Sequence, residues 1–301
     1  MFKTQLRKTE LSRTVLAKAF QPILADVQGL VALTEANRRE TLAFLAERPV
    51  HTVVMTSFIN DNGIESELNR GKFYGYRNAE GRLEGVALIG HSTLVEARTD
   101  NALYALAVCG RNAETPIHLV MSSGDTAERF WSFLSNGAEP KLTCREALFE
   151  TAFPFAVPER VTALRPATED ELMQAAEAQA EVAFIESGSD PMVRDREGFL
   201  KRVARRIDQQ RVFVVMDGDE LIFKADIIAE TPECIYLEGI YVSEKHRGKG
   251  IGSRCLASLT LDLLDRASNI CMLSNVQMTN AHRSFMKAGY KRSDECVTLF
   301  V

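Results

Sequence analysis

A glycine-rich stretch at residues 247–252 has the composition of a phosphate-binding loop. Its three glycines alternate with other residues, so the backbone can turn its N–H groups inward without a side chain blocking a ligand. A helical pattern follows directly, and the start of a helix offers free N–H donors and the positive end of its dipole. The stretch predicts a pyrophosphate cradle built from Arg247, Gly248, Lys249, Gly250, Ile251, Gly252 and Ser253.

Two other phosphate motifs do not fit this loop. A Walker loop has the pattern G-x-x-x-x-G-K followed by Ser or Thr. If its G-K falls on Gly248 and Lys249, the first glycine of the pattern falls on Ser243. If its second glycine falls on Gly250, the lysine of the pattern falls on Ile251. A dinucleotide fingerprint has the pattern G-x-G-x-x-G, but Ser253 or Cys255 occupies its last place. The remaining alternative is a tight turn without a ligand, yet such a turn needs one glycine rather than three flanked by cations.

The composition is that of an ordinary soluble protein long enough for two domains. The chain has 301 residues, of which 46% are hydrophobic and 26% charged, with a net charge of -5. This acidic balance gives no general attraction to nucleic acid or to an acidic membrane. No apolar run reaches the ~18 residues of a membrane span, and the basic amino-terminal segment lacks a signal-peptide core. We therefore expect a cytoplasmic protein without a nucleic-acid or membrane partner.

The cysteines and histidines predict no metal site. The six cysteines are scattered, without a C-x-x-C pair or a histidine at zinc-ligand spacing. We interpret them as reduced, buried residues, which favours the cytoplasm. The five histidines form no recognisable triad or metal set.

Strand and helix patterns in the second half place the loop between a strand and a helix. Segments rich in Val, Ile, Phe and Tyr between turn residues predict strands, and Thr168 with Glu171 has capping-box spacing. The predicted order is β-α-α-β-β-β-α-β-α-β, with the loop after the strand at residues 234–242. This order indicates an α/β domain around a mixed sheet.

The first half repeats part of this order. From residue 73 it predicts β-β-β-α-β-α-β, but only Arg98, Thr99 and Asp100 stand where the second half has the glycine loop. Two prolines within residues 153–160 indicate a linker. We interpret the chain as an internal duplication: a first domain at residues 1–155 that lacks the phosphate loop, and a second at residues 156–301 that carries it.

The motifs of the second half resemble those of the GNAT N-acetyltransferase superfamily. The superfamily's coenzyme loop has Gln or Arg, then x-x-G-x, then Gly or Ala, and Arg247, Gly250 and Gly252 fill these places after a strand. The later pattern N-A-x-x-x-F-x-x-x-G-Y, which runs from Asn280 to Tyr290 with Phe285 at its sixth place, resembles its second coenzyme motif. The whole chain is similar to bacterial two-domain GNAT proteins with a degenerate amino-terminal copy, which implies tandem GNAT folds.

The resemblance implies acetyl-CoA as the acyl donor and assigns roles to residues. Backbone groups of Ile240, Tyr241 and Val242 would pair with the pantetheine arm where the family's strands splay apart. Residues 247–253 would hold the pyrophosphate, and Asn280 and Phe285 would contact the coenzyme. An amide near Tyr241 would stabilise the oxyanion of the thioester.

Glu238 is the candidate general base, because an amine must be neutral to attack a thioester. Alternation along a strand places Glu238 on the same face as Tyr236 and Ile240. Similar family members carry Glu at this place. The alternative is an ordinary edge glutamate that faces water.

Phe285 departs from the family pattern, in which a tyrosine often protonates the departing thiolate. Phenylalanine has no proton to donate, and helical spacing does not place Ser284 or His282 on its face. Water is the remaining proton source. This departure motivates the alternative function, a non-catalytic acyl-CoA sensor or scaffold.

The acceptor is predicted to be a small-molecule or peptide amine. Glu186 and Asp190 suit a cationic amine, and Arg194 and Lys224 suit an acidic end, unless these charges only face solvent. The first domain is expected to supply a lid, an intramolecular partner or a homodimer surface.

Overall fold

The computed structural model describes residues 27–153 and 160–301. Residues 154–159, most of the predicted linker, lie outside these ranges, as does the basic amino-terminal segment.

The first half contains six strands and four helices in its described part. They are β1 (Leu30–Ala32), α1 (Arg38–Leu45), α2 (Pro49–Asn62), β2 (Gly71–Arg77), β3 (Leu83–Gly90), β4 (Ser92–Ala97), α3 (Asp100–Arg111), β5 (Leu119–Ser123), α4 (Thr126–Leu134) and β6 (Leu142–Thr151). The predicted order from β2 onward is confirmed. The helices α1 and α2 were not predicted, and they make the first half a complete counterpart of the second.

The second half has the predicted order, with one extra helical turn, α6. Its elements are β7 (Arg165–Pro166), α5 (Leu172–Ser187), α6 (Pro191–Arg194), α7 (Arg196–Asp208), β8 (Val212–Asp217), β9 (Glu220–Glu230), β10 (Ile235–Val242), α8 (Ile251–Leu263), β11 (Ile270–Asn275), α9 (Thr279–Lys287) and β12 (Lys291–Phe300). The capping box of Thr168 and Glu171 is present and opens a short 3₁₀ turn before α5. The α/β fold with a mixed, mostly antiparallel sheet is therefore confirmed.

All twelve strands form one continuous sheet in the order β1-β2-β3-β4-β5-β12-β6-β11-β10-β9-β8-β7. The last strand of each half lies in the other half's sheet, because β12 pairs with β5 and β6 pairs with β11. The two exchanged strands also pair with each other. The division at residues 155 and 156 stays a prediction, but each half depends on the other for a strand.

Helices cover both faces of the second half of the sheet. On one face, Leu256 of α8 and Phe285 of α9 pack in one core with Leu237 of β10. On the other face, α5 and α7 pack over β8 and β9. Helix α2 of the first half packs against β9 and β10, where Val53 joins Cys271 in a small apolar cluster. The halves are thus joined through the sheet and through this helix.

Candidate active site

Strand β10 contains a bulge at the centre of the predicted site. Glu238 is opposite Asp226 and Tyr241 is opposite Lys224, so two residues of β10 face one residue of β9. The first of the two bulged residues, Gly239, has a φ of +61, which favours glycine. A Cβ at Gly239 would also lie 1.9 Å from Oε1 of Gln179. Both the backbone and the packing therefore require glycine at this position.

Strands β10 and β11 separate immediately beyond Leu237. Their parallel pairing covers only Ile235 to Leu237, and β11 continues along β6 instead. Residues 238–242 therefore have no strand partner on that side, which leaves a wedge between β10 and β11. This is the splaying that the family resemblance implied.

A groove with a volume of about 540 Å³ continues from this wedge along the glycine loop. It brings together most of the residues predicted to bind the coenzyme, namely Ile240, Val242, Arg247, Gly248, Gly250, Ile251, Gly252, Ser253, Asn280 and Phe285. Tyr241 and Lys249 are the predicted binding residues that do not line it.

Each of the three loop positions requires glycine for a structural reason. Gly248 and Gly250 adopt left-handed conformations, with φ of +77 and +74. Gly252 lies in the first turn of α8, and a Cβ there would meet the side chain of Val242 at 3.0 Å. The loop thereby brings the start of α8 against the end of β10, and its backbone remains open to the groove.

Cationic side chains of α9 line the groove opposite the loop. Arg283 and Lys287 stand one helical turn apart, and neither forms an ion pair within residues 27–153 and 160–301. Sequence reasoning missed them, although their spacing after Asn280 would have indicated one helical face. The groove suits an elongated ligand with several negative charges.

Arg247 joins the loop to α5. Its guanidinium lies 2.8 Å from the carboxylate of Glu181, and its Nε donates to the backbone oxygen of Val242 at 2.9 Å. The same group lies over the ring of Tyr241, 5.7 Å from the centroid. Burial and the nearby Glu181 raise the pKa of Tyr241. Arg247 thus helps to fix the loop against the second half's first long helix.

Glu238 is a partly buried carboxylate on an interior strand, since β9 and β11 flank β10. Burial raises its pKa; Asp226 raises it further, whereas Arg206 and Lys224 oppose the shift. The prediction that Glu238 and Ile240 share a face is wrong. Ile240 packs with Leu237 in the core under α8, because the bulge adds one residue and reverses the alternation.

Two further carboxylates belong to the surroundings of Glu238. Glu146 of β6 accepts a hydrogen bond from Thr298 at 2.6 Å, and burial and Glu238 raise its pKa. Glu186 lies in the last turn of α5 and is exposed, yet surrounding protein atoms, then Glu238 and Glu146, raise its pKa to about 8. Sequence reasoning missed Glu146, because nothing local shows that a first-half strand borders the second-half site.

The part of the groove around Phe285 is apolar. Its ring is buried and packs edge-on against Phe149 at 5.5 Å. Ser284 also lines the groove, and its hydroxyl donates to the backbone oxygen of Asn280 at 3.4 Å. The prediction that His282 does not share the face of Phe285 is wrong, because residues three apart on a helix are neighbours and both rings pack against Phe149. Burial lowers the pKa of His282.

The other charges predicted near the acceptor have different surroundings. Asp190 caps α6 through a 2.8 Å bond from the N–H of Met192, and Arg194 is exposed at the end of that helix. Lys224 is completely buried, so the prediction that it recognises an acidic end at the surface is wrong. It bonds to Gln179 within the protein.

Five of the six cysteines are buried and Cys109 is partly buried, and none forms a disulfide. In the described ranges, no set of His, Cys, Asp and Glu side chains is grouped to hold a metal ion. Nor does any helix of those ranges have the length and apolarity to cross a membrane.

Comparisons with known proteins agree on one family and fold. Residues 208–292 match the family model of the acetyltransferase (GNAT) domain. A tandem GNAT protein from the clavulanic acid biosynthesis pathway aligns over 90% of this chain and 98% of its own, with 12% identity and a TM-score of 0.55. No curated protein matches the chain in sequence.

Two further solved structures have the same architecture. An acetyltransferase from the GNAT family from Colwellia psychrerythraea covers 90% of this chain and 98% of its own, with 12% identity and a TM-score of 0.53. A GCN5-related N-acetyltransferase from Sphaerobacter thermophilus covers 89% of this chain and 93% of its own, with 14% identity and a TM-score of 0.55. At such identities these likenesses establish the fold.

Proposed function

From the premise that this chain is a tandem protein of the GNAT superfamily, we propose that its second half transfers an acetyl group from acetyl-CoA to a primary amine. The family match itself implies acyl transfer with an acyl-CoA substrate. One observation carries the finer proposal: the wedge between β10 and β11 opens into a groove that ends at the glycine loop and is lined by cations.

The groove suits the parts of acetyl-CoA in order. The pyrophosphate binds the N–H groups of residues 247–253 and the positive end of α8, with Arg283 and Lys287 adding charge across the groove. The pantetheine arm enters the wedge and pairs with residues 240–242 like an added strand. The thioester then reaches the bulge beside Glu238.

Glu238 acts as the base of the reaction. Its raised pKa suits removal of a proton from the ammonium form of the acceptor near neutral pH. The amine nitrogen then attacks the thioester carbonyl carbon, and an amide of the bulge stabilises the oxyanion. Collapse breaks the C–S bond, and the proton that the attacking nitrogen still has to lose passes through a water to the departing thiolate, because Phe285 cannot donate one.

The acceptor enters from the side of the sheet where Glu238 of β10 and Glu146 of β6 lie near Glu186 of α5. Three carboxylates on one side favour an amine that is positively charged before reaction. We propose a small-molecule or peptide amine. The absence of nucleic-acid and membrane partners, the homodimer and the cytoplasmic location stay predictions.

The test is the release of free thiol from acetyl-CoA with a panel of amines, run in parallel with longer acyl-CoAs. Glu238→Gln should lower kcat by about 100-fold or more and leave the Kd of CoA nearly unchanged, since only proton transfer is lost. Glu220→Gln, at the exposed first residue of β9, is the control. Unchanged kcat in Glu238→Gln would contradict the assignment of the base.

The alternative is a non-catalytic acyl-CoA sensor or scaffold. Phe285 favours it, because the proton donor expected on α9 is missing. Tight binding of acetyl-CoA without thiol release for any amine would support this alternative over the enzyme.

A further inference from the structure

We propose that Lys224 is a positioning residue: it orients the peptide between Gly239 and Ile240 so that the Ile240 N–H faces the thioester oxygen in the wedge. This inference rests on the proposed function of the same site. It concerns a side chain on β9 that touches neither the groove nor the predicted substrates.

The ammonium of Lys224 is fully buried and its contacts are complete. Its Nζ lies 2.7 Å from Oδ1 of Asp226, donates to Oε1 of Gln179 at 2.7 Å, and donates to the backbone oxygen of Gly239 at 3.4 Å. Two of these contacts are hydrogen bonds and the third is an ion pair with a buried carboxylate, so three oxygens surround the ammonium. Arg206 lies 3.6 Å from the other oxygen of Asp226. Buried ion pairs contribute little net stability, so stability alone does not account for this network.

The network surrounds the bulge. Lys224 is opposite Tyr241 and Asp226 is opposite Glu238, which are the residues on either side of the two bulged positions, Gly239 and Ile240. A Cβ at Gly239 would lie 1.9 Å from Gln179 and 2.9 Å from Nζ of Lys224. The peptide is therefore packed directly against the network and cannot rotate without moving it.

The direction of the Ile240 N–H follows from the contact with the Gly239 carbonyl. No described peptide bond is cis, and in a trans peptide the N–H points opposite to the C=O. The carbonyl points toward Lys224 on the α5 side of β9, so the N–H points toward the wedge, where β10 has no strand partner. A cation on the carbonyl also polarises the peptide and strengthens its N–H as a donor.

The first half supports the link between the network and the bulge. Alignment of the parallel pairs places Leu94 at the position of Leu237, so Val95 corresponds to Glu238. The same alignment places Ala87 and Gly85 on β3 where β9 has Asp226 and Lys224. Strands β3 and β4 pair without a bulge there. The half without the charged pair is also the half without the bulge.

The experiment replaces Lys224 with an uncharged residue of similar length. Lys224→Met should lower kcat by about 100-fold, as expected for a lost oxyanion donor, with the Kd of CoA nearly unchanged because CoA has no acyl carbonyl. The direct readout is the infrared carbonyl band of bound acetyl-CoA carrying a ¹³C-labelled acetyl group. In the wild type the band should shift to lower frequency on binding, and in Lys224→Met most of that shift should disappear.

Two further variants keep the test decisive. Lys245→Met removes an exposed lysine and should change neither the band nor kcat. If Lys224→Met does not fold, Lys224→Met/Asp226→Asn removes both charges of the pair, and the same loss of the band shift is expected.

The infrared measurement needs binding but no turnover. A folded variant that binds CoA and retains the full band shift would overturn the inference. If instead the wild type binds acetyl-CoA with a shifted band but acetylates no amine, the proposed function fails while the role of Lys224 stands.

Discussion

The two halves of the chain share one fold but differ at one point, the strand that precedes the glycine loop in the second half and its counterpart in the first. In the second half, β10 bulges at Gly239, parts from β11 and opens a wedge. In the first half, β4 pairs without a bulge along β3, although its pairing with β5 ends at the corresponding residue, Leu94. The fold provides the divergence of the strands in both halves, and local residues decide whether it becomes a binding site.

Side chains close the first half's wedge. The hydroxyl of Ser122 on β5 donates to the backbone oxygen of Val95 on β4 at 2.7 Å, which bridges the separating strands. Arg48 bonds to the carboxylate of Glu96 at 3.1 Å and to the hydroxyl of Ser123 at 3.1 Å, and Arg98 also contacts Glu96. These groups use the polar positions that a pantetheine arm would need.

The N-termini of the corresponding helices α3 and α8 also differ. Thr99 accepts a hydrogen bond from the N–H of Ala102 at the start of α3, and Asp100 adds a negative charge there. At the start of α8, Gly250 provides no side-chain cap, so the N–H groups remain available to an anion. The two halves therefore share a fold, but only the second leaves the start of this helix without a side-chain cap.

Deletion of residues 1–155 tests whether the second half can exist without the first, and we expect the largest effect here. It removes β6, which leaves β11 without its neighbour toward β12 and leaves β12 without β5 and β6. Unpaired strand edges expose backbone groups and promote aggregation. The truncated chain should be insoluble or lack a cooperative thermal transition by circular dichroism.

Co-expression of residues 1–155 with residues 156–301 as two chains is the control. The fragments should form a soluble complex, because the exchanged strands do not require a covalent connection. A soluble, cooperatively folded second half alone would contradict the interdependence of the halves.

Gly239→Val makes the second half resemble the first at the bulge. The left-handed φ and the 1.9 Å approach to Gln179 both oppose a side chain, so kcat should fall by at least about 100-fold. Gly81→Ala is the control: Gly81 also has a positive φ, of +80, but nothing lies within 4 Å of its added Cβ. It should cost about 1–3 kcal/mol of stability from strain and leave kcat unchanged. Equal effects of both variants on kcat would remove the special role of the bulge.

Glu186→Gln tests the carboxylate face through the pH dependence of stability, with the smallest expected effect. Burial, Glu238 and Glu146 raise the folded-state pKa of Glu186 from 4.5 to about 8, so the folded chain holds this proton longer than the unfolded chain. The resulting stability is fully present below pH 4.5 and is lost as the pH rises through about 8.

A glutamine at position 186 stays neutral, so thermal melts of Glu186→Gln should decline less across this pH window than those of the wild type. Glu177→Gln, on the same helix, should decline as the wild type does. If the two variants decline equally, the proton is not held by Glu186.

The sequence predicted the local parts of the fold and of the site well. The strands and helices of the second half, the capping box at Thr168 and most groove residues follow from periodicity, caps and glycine spacing. These signals are local, because a helix or strand buries one face and a loop needs particular backbone angles. The helices α1 and α2 were missed, although Pro49 stands at the first position of α2.

Errors arose where one residue alters the periodicity. The alternation of side chains along a strand predicted Ile240 on the same face as Glu238. The single extra residue at the bulge reverses this alternation, so Ile240 points into the core under α8. Lys224 lies in a strand with apolar neighbours, and only its contacts with Asp226 and Gln179 show why a charge is buried there. A buried charge needs its partners, and these come from elsewhere in the chain.

The sequence by itself determined that a glycine-rich loop joins a strand to a helix, because loop geometry depends on neighbouring residues. Only the tertiary structure decided that β6 and β12 exchange places and that Glu146 borders the second half's site. Strand pairing joins backbone groups, and the local sequence does not specify which strand is the partner. The partner of each strand therefore depends on the packing of the whole sheet. The glycine loop can therefore be recognised from one segment of the sequence, whereas the residues around it come from both halves.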